Sequence, residues 1–351
     1  MDFIEIEGYK SIKKAKIEIC PINILIGANG AGKTNFLSFF EFLNNLYERK
    51  LQEYISLNGG EDKMLHHGGK ITTKLLSKIS FNENANTYSF ILEKGSEDMV
   101  FIKENLWDKN DFVSISEYDL EANIKISRTP IAYDLRSHLN NLKKYHFHDT
   151  GKYSSFNKLS HIDNDAYFLY EKGENLAAFL YKIQKNHPIV YNRIVKVIQS
   201  IAPYFSDFFF QPNKQDLLRL QWQDKYSSTV YGVSDLSDGT IRFIALTVLF
   251  MQPDLPQTLI IDEPELGLHP SAISKLAGMI QSVAAKGTQV IVATQSIDLL
   301  SYFNPEDIIA VDLHDGASIF TRLKQEELEI WLTDYALGDL WKRNIITEGQ
   351  P

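Results

Sequence analysis

The stretch Gly27-Ala28-Asn29-Gly30-Ala31-Gly32-Lys33-Thr34 constrains this chain more than any other, because it fits G-x-x-x-x-G-K-[ST] without a mismatch. The pattern has a mechanism only between a strand and a helix, and both flanks are present. Ile22 to Ile26 is a short apolar run of strand type, and Asn35 to Leu43 has the bulk of a buried helix. Glycines in such a loop let the backbone turn tightly and bring its N–H groups close to phosphate oxygens, while the positive end of the new helix faces the anion. Lys33 is expected to reach the β- and γ-phosphates and the Thr34 hydroxyl to ligate Mg²⁺. The candidate nucleotide-binding residues here are Asn29, Gly30, Ala31, Gly32, Lys33, Thr34 and Asn35.

A second chemical signal lies far downstream. Leu259-Ile260-Ile261-Asp262-Glu263-Pro264 is an apolar strand that ends in two carboxylates. In a phosphate-loop protein, one such carboxylate holds Mg²⁺ and the other polarises attacking water. Asp262 is assigned to the metal and Glu263 to the general base.

Between and around these signals the chain reads in three textures. Phe3 to Glu7 and Ala15 to Ile19 alternate apolar and polar side chains, which predicts half-buried strands beside the buried Ile22 to Ile26 strand. The helix opened by the loop is expected to run into the mid-fifties, ahead of Asn58-Gly59-Gly60. Leu76 to Phe81, Thr87 to Leu92, Met99 to Leu106 and Phe112 to Ile115 are strand-like, parted by breaks such as Asn82-Glu83-Asn84 and Lys94-Gly95-Ser96. That is the grammar of an antiparallel meander. A helical stretch follows from Pro130 to about Tyr204, clearest at Asn175 to Lys185 and Pro188 to Ile201. Phe208 to Phe210 and Leu217 to Trp222 return to strand texture. In the last third, helices at Leu236 to Met251, Pro270 to Ala285 and Ile297 to Phe303 alternate with strands at Thr258 to Ile261, Gln289 to Ala293 and Ile308 to Val311. Strands alternating with helices imply a largely parallel sheet covered by helices.

Bulk properties exclude several classes. A net charge of −9 argues against binding nucleic acid through overall charge, although a local basic face stays open. Cys20 is the lone cysteine, reads as a small buried apolar residue, and cannot form an internal disulfide. The start Met1-Asp2-Phe3-Ile4-Glu5 lacks the basic flank and apolar core of a signal peptide, and no apolar run approaches the ~20 residues that cross a bilayer. The expectation is a cytoplasmic protein with no membrane partner.

Leu236-Ser237-Asp238-Gly239-Thr240 precedes a helix and lies between the loop and the carboxylate strand. Ser and Asp before a helix are commonly plain caps. The string nevertheless resembles the L-S-x-G signature of ATP-binding-cassette ATPases, and a serine hydroxyl, a glycine backbone and a helix start together form an anion site. The resemblance implies that Ser237, Asp238 and Gly239 touch the γ-phosphate of a nucleotide held by a second copy, so that ATP joins a homodimer. Val290 to Ser296 occupies the place of the family's γ-phosphate switch. Gln295 there resembles the Thr-Gln-Ser variant of some overcoming-lysogenization-defect (OLD) and RecF-like ATPases; a glutamine donates a hydrogen bond but does not titrate. Gln295 is assigned a catalytic role, with a purely structural one as the alternative. Glu265 to Pro270 resembles the segment that crosses the dimer interface in the same group, and His269 reads equally as a structural residue or a cross-interface contact.

The long separation of Lys33 from Asp262 is unlike transporter subunits, and no sustained heptads fill it. What remains resembles a compact RecF-like, SMC-related head. More narrowly, Gly8-Tyr9-Lys10-Ser11-Ile12, the runs Leu65 to Lys70 and Tyr145 to Thr150, and the tail Tyr335 to Trp341 resemble bacterial AAA_21-type ATPases. The implied fold is α/β, a P-loop NTPase head of the ABC-ATPase kind, with a mixed sheet, an antiparallel β-subdomain and a helical lid. It would form one domain over 1–351, with lobes at 1–130, 131–240 and 241–351. Members of that group commonly work beside a nuclease or Toprim-like subunit in phage defence or DNA maintenance, which implies an ATP-hydrolysing dimeric switch with such an effector, and DNA, as candidate partners. The alternative is a low-turnover, nucleotide-bound scaffold or antitoxin-like subunit that inhibits a toxic partner. A transporter role is a weaker third reading. His146, His148 and Asp149, like His66 and His67, are candidate metal ligands set against the commoner reading as hydrogen-bonded structural residues. The Leu65 to Lys70 loop is also a candidate neighbour of the nucleotide, in place of the family's Q-loop glutamine.

Overall fold

Alternating side chains and the tight turn at Lys10-Ser11 fold β1 (Phe3–Tyr9) and β2 (Ile12–Glu18) into a hairpin. β3 (Ile22–Ile26) is buried at all five positions, as its unbroken apolar run requires. The chain continues through α1 (Lys33–Tyr47), α2 (Leu51–Leu57), α3 (Glu61–Met64), β4 (Lys74–Phe81), β5 (Asn86–Lys94), β6 (Met99–Trp107), β7 (Phe112–Ser116), α4 (Pro130–Leu139) and β8 (Lys144–Tyr145). Then come β9 (Ser160–His161), α5 (Leu176–Asn186), α6 (Pro188–Gln199), β10 (Phe205–Phe208), β11 (Leu217–Leu218), β12 (Gln221–Asp224), β13 (Val230–Gly232) and α7 (Asp238–Met251). The last part holds β14 (Thr258–Asp262), α8 (Pro270–Ala284), β15 (Gln289–Ala293), α9 (Ile297–Leu300), β16 (Ile308–His314), β17 (Ala317–Arg322), α10 (Gln325–Leu332) and α11 (Leu337–Lys342). This computed structural model describes residues 1–95, 98–109, 111–151, 153–333, 335–343 and 345–347. Ser96, in one of the predicted breaks, lies outside the described residues.

Contacts divide the chain into two units. The first comprises Met1–Lys144, Gln257–Ile260 and Gln289–Pro351, and the second Tyr145–Pro256 and Ile261–Thr288, so the chain passes from one to the other inside β14. The first unit holds an antiparallel sheet ordered β2-β1-β4-β5-β6-β7. A mixed sheet is ordered β17-β16-β3-β15-β14-β8, in which β3 runs parallel to both β15 and β16. The predicted meander is therefore present and larger than expected. β1 and β2 belong to it and are not neighbours of β3, because β1 pairs with β4 (Ile4 opposite Ile79). Cys20, between β2 and β3, is half-buried and not enclosed as expected.

α1 explains its own composition. Phe36, Phe39, Phe40 and Phe42 are all fully buried, so that only a narrow stripe of the helix, with Thr34 and Glu41 exposed, meets solvent. Phe39 and Phe42 meet Tyr9 of the antiparallel sheet, Phe42 also faces Phe90, and Phe36 packs on Phe320 of β17 in the mixed sheet. The helix thus packs on both sheets in one core with Ile260, Ile291, Ile309 and Val311. Phe39→Ala should lower the stability of the protein by about 3–5 kcal/mol, read as the shift of the urea midpoint; a shift below about 1 kcal/mol would mean that the core closes over the gap.

The helix does not reach the mid-fifties unbroken. It stops at Tyr47, Arg49 takes a positive φ of 60°, and α2 restarts at Leu51. The Glu121 carboxylate accepts from the Leu51 and Gln52 N–H groups at 2.9 and 3.1 Å, a cap supplied from far along the chain.

In the second unit α6 and α8 both pack on α7. A small antiparallel sheet, β10-β12-β13, and the β11-β9 pair complete it. The strand texture predicted at Leu217 to Trp222 is in fact split between β11 and β12. No helix among the described residues is long and apolar enough to cross a membrane.

Candidate functional site

The loop after β3 is shaped by close approaches. A Cβ at Gly27 would stand 2.1 Å from the Val311 carbonyl oxygen, and one at Gly32 only 2.0 Å from Ser318 Oγ. Both residues also hold a positive φ (145° and 113°), so glycine is required twice over. Gly32 occupies the N-cap of α1 and offers no side chain to the first N–H groups, and no acidic residue sits in the first turn. A helix start left open in this way suits an anion. Lys33 is 6% exposed, and its Nζ donates to the Gly27 and Ala28 carbonyls at 2.5 and 3.1 Å, which lays the ammonium across the loop's first residues. Thr34, Asn29 and Gly30 are exposed.

Residues outside the motif brace it. Ser318 Oγ donates to the Ala31 carbonyl (2.6 Å) and meets Ser11 Oγ (2.7 Å), which also accepts from Asn35 Nδ2 (2.8 Å). Asn35 thus serves the loop's support as well as lying inside the motif. Sequence reasoning missed Ser318, and a lone serine in a strand gives no signal of its own. The Gly8-to-Ile12 element supplies Ser11 to this brace, and its Lys10 carbonyl meets His66 Nδ1 at 2.8 Å. The Leu65 to Lys70 loop is therefore tied to the β1-β2 turn. Lys10 Nζ donates to Ser38 Oγ (2.9 Å), and burial lowers the pKa of its ammonium.

β15 lies beside β3 with Ala293 opposite Leu25, and the Thr294 N–H donates to the Leu25 carbonyl at 3.0 Å. Gln295, one residue on, is half-buried where β15 ends beside the strand that feeds the loop. Ser296 caps α9 by accepting from the Leu299 N–H (3.1 Å).

The remaining candidates belong to the second unit. Asp262 is buried at the end of β14, and Glu263 follows with a positive φ of 42°, a conformation that a non-glycine residue keeps only when its surroundings impose it. Ser237 caps α7, its Oγ accepting from the Thr240 N–H (3.2 Å) and meeting Thr240 Oγ1 at 2.8 Å. Ser237 and Asp238 are exposed while Gly239 is half-buried. A Cβ at Gly239 would stand 2.3 Å from the Gly267 carbonyl oxygen, so the signature turn lies directly on the Glu265 to Leu268 segment. His269 Nδ1 accepts from the Ser271 N–H (3.3 Å), which makes it the cap of α8.

Arg242, one turn into α7, ties these pieces together. Its guanidinium donates to the carbonyls of Phe147 (3.2 Å), His148 (2.8 Å) and Leu266 (2.9 Å), and His148 Nε2 in turn meets the Asp262 carbonyl at 3.0 Å. The Tyr145 to Thr150 run is thereby a strap between the signature helix and the carboxylate strand, and His148 acts in it through hydrogen bonds. The sequence singled out the run itself but not Arg242, the residue that ties it down. Arg242→Ala should cost about 2 kcal/mol of stability; a urea midpoint equal to that of the unaltered chain would show that the three bonds hold nothing.

The AAA_21 family model, described as "AAA domain, putative AbiEii toxin, Type IV TA system", matches residues 22–301. A "Putative ABC transporter ATP-binding protein" of Streptomyces coelicolor is 37% identical over 65 residues, which is 18% of this chain and 11% of that protein. The "Old nuclease" of Escherichia phage P2 is 31% identical over 107 residues, 28% of this chain and 18% of that protein. This chain spans less than a fifth of the length of either curated relative. Among solved structures, an SMC head bound to the C-winged helix domain of ScpA aligns with a TM-score of 0.62 and 17% identity, covering 93% of this chain and 98% of that one. The fold is accordingly that of an SMC-type, P-loop ATPase head of the ABC kind.

Proposed function

The chain belongs to the AAA_21 family of ABC-type, SMC-like P-loop ATPases, and from that premise we propose that it is an ATP-hydrolysing switch whose two copies close over two nucleotides. The observation that carries this reading is the loop itself: two glycines pressed against neighbours, an uncapped helix start and a buried lysine laid across the loop fit a triphosphate. Asn29 to Asn35 bind ATP. Thr34 and Asp262 would hold Mg²⁺, which would supply charge stabilisation for phosphoryl transfer. Glu263 takes the proton of the attacking water, and Gln295 donates a hydrogen bond that orients it. Ser237, Asp238 and Gly239 of the second copy complete each site, and the exposure of Ser237 and Asp238 supports that role. The chain acts as one ATPase domain with the lobes 1–130, 131–240 and 241–351.

The effector is a nuclease or Toprim-like subunit in antiphage defence or DNA maintenance, DNA is a further ligand, and the setting is the cytoplasm. The likeness to the Old nuclease supports the first of these. A second reading, a nucleotide-bound scaffold that restrains a toxic partner, is favoured by the toxin–antitoxin wording of the family description. Light scattering tests the switch: ATP, but not ADP, should double the mass of the Glu263→Gln variant. Single chains under both conditions would end the dimer reading, and tight ATP binding with negligible turnover in the unaltered chain would favour the scaffold.

A further inference from the structure

The second unit carries a groove that the nucleotide chemistry does not use. Its floor is the last turn of α7, with Phe250 and Met251. One wall is a stripe of α6, Val190, Arg193 and Val197, at the three- and four-residue spacing of a single helix face. The other wall is Lys275, Gly278 and Ser282 of α8, prolonged by Lys286. The volume is about 480 Å³, within the range of ligand and peptide sites. Its charges are Arg193, Lys275 and Lys286, and none of the lining residues among those described is acidic, in a chain with a net charge of −9. Gly278 lowers the α8 wall. Nothing stands within 4 Å of where its Cβ would be, and a glycine inside a helix weakens it unless something must come close. Two helical walls over an apolar floor form a seat for a third helix.

A surface that matches it is present on the same sequence. α10 carries Glu326, Glu327 and Glu329, with Leu328 buried as its anchor. Ile330 is 86% exposed and Trp331 45%, each one turn beyond Glu326 and Glu327 respectively. Lys324 pairs with Glu327 at 3.5 Å, an exposed contact that exchanges readily with water. Adjacent large apolar side chains rimmed by carboxylates have the composition of an interaction surface.

We propose that the groove of the second unit receives α10 of a second copy of this chain, with Ile330 and Trp331 on the apolar floor and the three glutamates against Arg193, Lys275 and Lys286. Equal and opposite charge, the apolar pair and the low wall at Gly278 select this occupant. The contact needs no nucleotide and is separate from the ATP-driven closure proposed above. One helix in one groove is a small interface, so the association is weak, with a dissociation constant on the order of 10 µM.

The test is sedimentation equilibrium without nucleotide, from about 1 to about 100 µM chain, in a Lys33→Ala background that removes the ATP-dependent pairing. The background chain should associate with rising concentration. Lys275→Glu with Lys286→Glu should weaken association at least about tenfold, as should Glu326→Lys with Glu327→Lys. Mixing the two charge-reversed chains should restore it, because the acidic groove of one then meets the basic helix of the other. All four positions are at least partly exposed, so unchanged melting temperatures will show that the fold is intact. A background chain that stays single throughout overturns the proposal and leaves the groove to an acidic helix of another protein. Reversed chains that associate as before, or a mixture that fails to, overturn it equally.

Discussion

Lys33→Ala is expected to reduce ATP affinity by at least about a hundredfold, roughly 2.7 kcal/mol. The ammonium is buried and laid across the carbonyls of Gly27 and Ala28, where charge-assisted bonds to phosphate are strong because little water competes. Alanine keeps the helical backbone, and the Ser318 and Ser11 brace on Ala31 does not depend on the lysine. The loss should therefore fall on binding and spare the fold. A thermal shift separates the two: ATP at a hundred times its dissociation constant adds about 2.7 kcal/mol to the unaltered protein and should add at most about 0.4 kcal/mol to the variant. An undiminished shift would remove the loop from the nucleotide site.

Glu263→Gln should leave ATP binding unchanged and lower kcat by about 10² to 10⁴-fold, the usual contribution of a positioned general base. Glutamine is the informative choice because Glu263 sits at a φ of 42°. The replacement keeps the size of the side chain and the same backbone strain, so only the capacity to take a proton is removed. Phosphate release under single-turnover conditions reads the chemical step directly. A kcat within a factor of about three of the unaltered chain would assign the base elsewhere.

The phosphate loop and the carboxylate strand were legible because their chemistry dictates local backbone. Glycine at 27 and 32 is forced by positive φ and close neighbours, and an unbroken apolar run such as Leu259 to Ile261 has only an interior strand as a home. The pairing of strands was less legible. β1, β2 and β3 follow one another and all look half or fully buried, yet nothing local says that β1 finds its second neighbour in β4. The β16-β17 hairpin escaped notice although a signal existed: Asp315 and Gly316 both hold positive φ (50° and 75°), and Asp-Gly between alternating runs is a hairpin turn. The break at Arg49 had no signal, since neither glycine nor proline marks it and its cap, Glu121, arrives from far along the chain. The same holds for Arg242, whose partners are main-chain carbonyls that any sequence would supply, whereas His148, meeting the Asp262 carbonyl, takes the hydrogen-bonded structural reading.

The passage of the chain between its two units inside β14 has a consequence for how the protein is made. The core around α1 needs Ile291, Ile309 and Val311, and the amino group of Met1 is held by Gln289 Oε1 at 2.8 Å. During synthesis, Phe39 and Phe42 can meet Tyr9 and Phe90 early, but the Phe36 side of α1 lacks Phe320 until β17 leaves the ribosome, after the second unit has emerged. Folding cannot proceed from the first residue onward; such non-local closure is slow and leaves apolar surface open to aggregation. The order of the strands, and not the size of the chain, therefore sets how long that part of the core stays open.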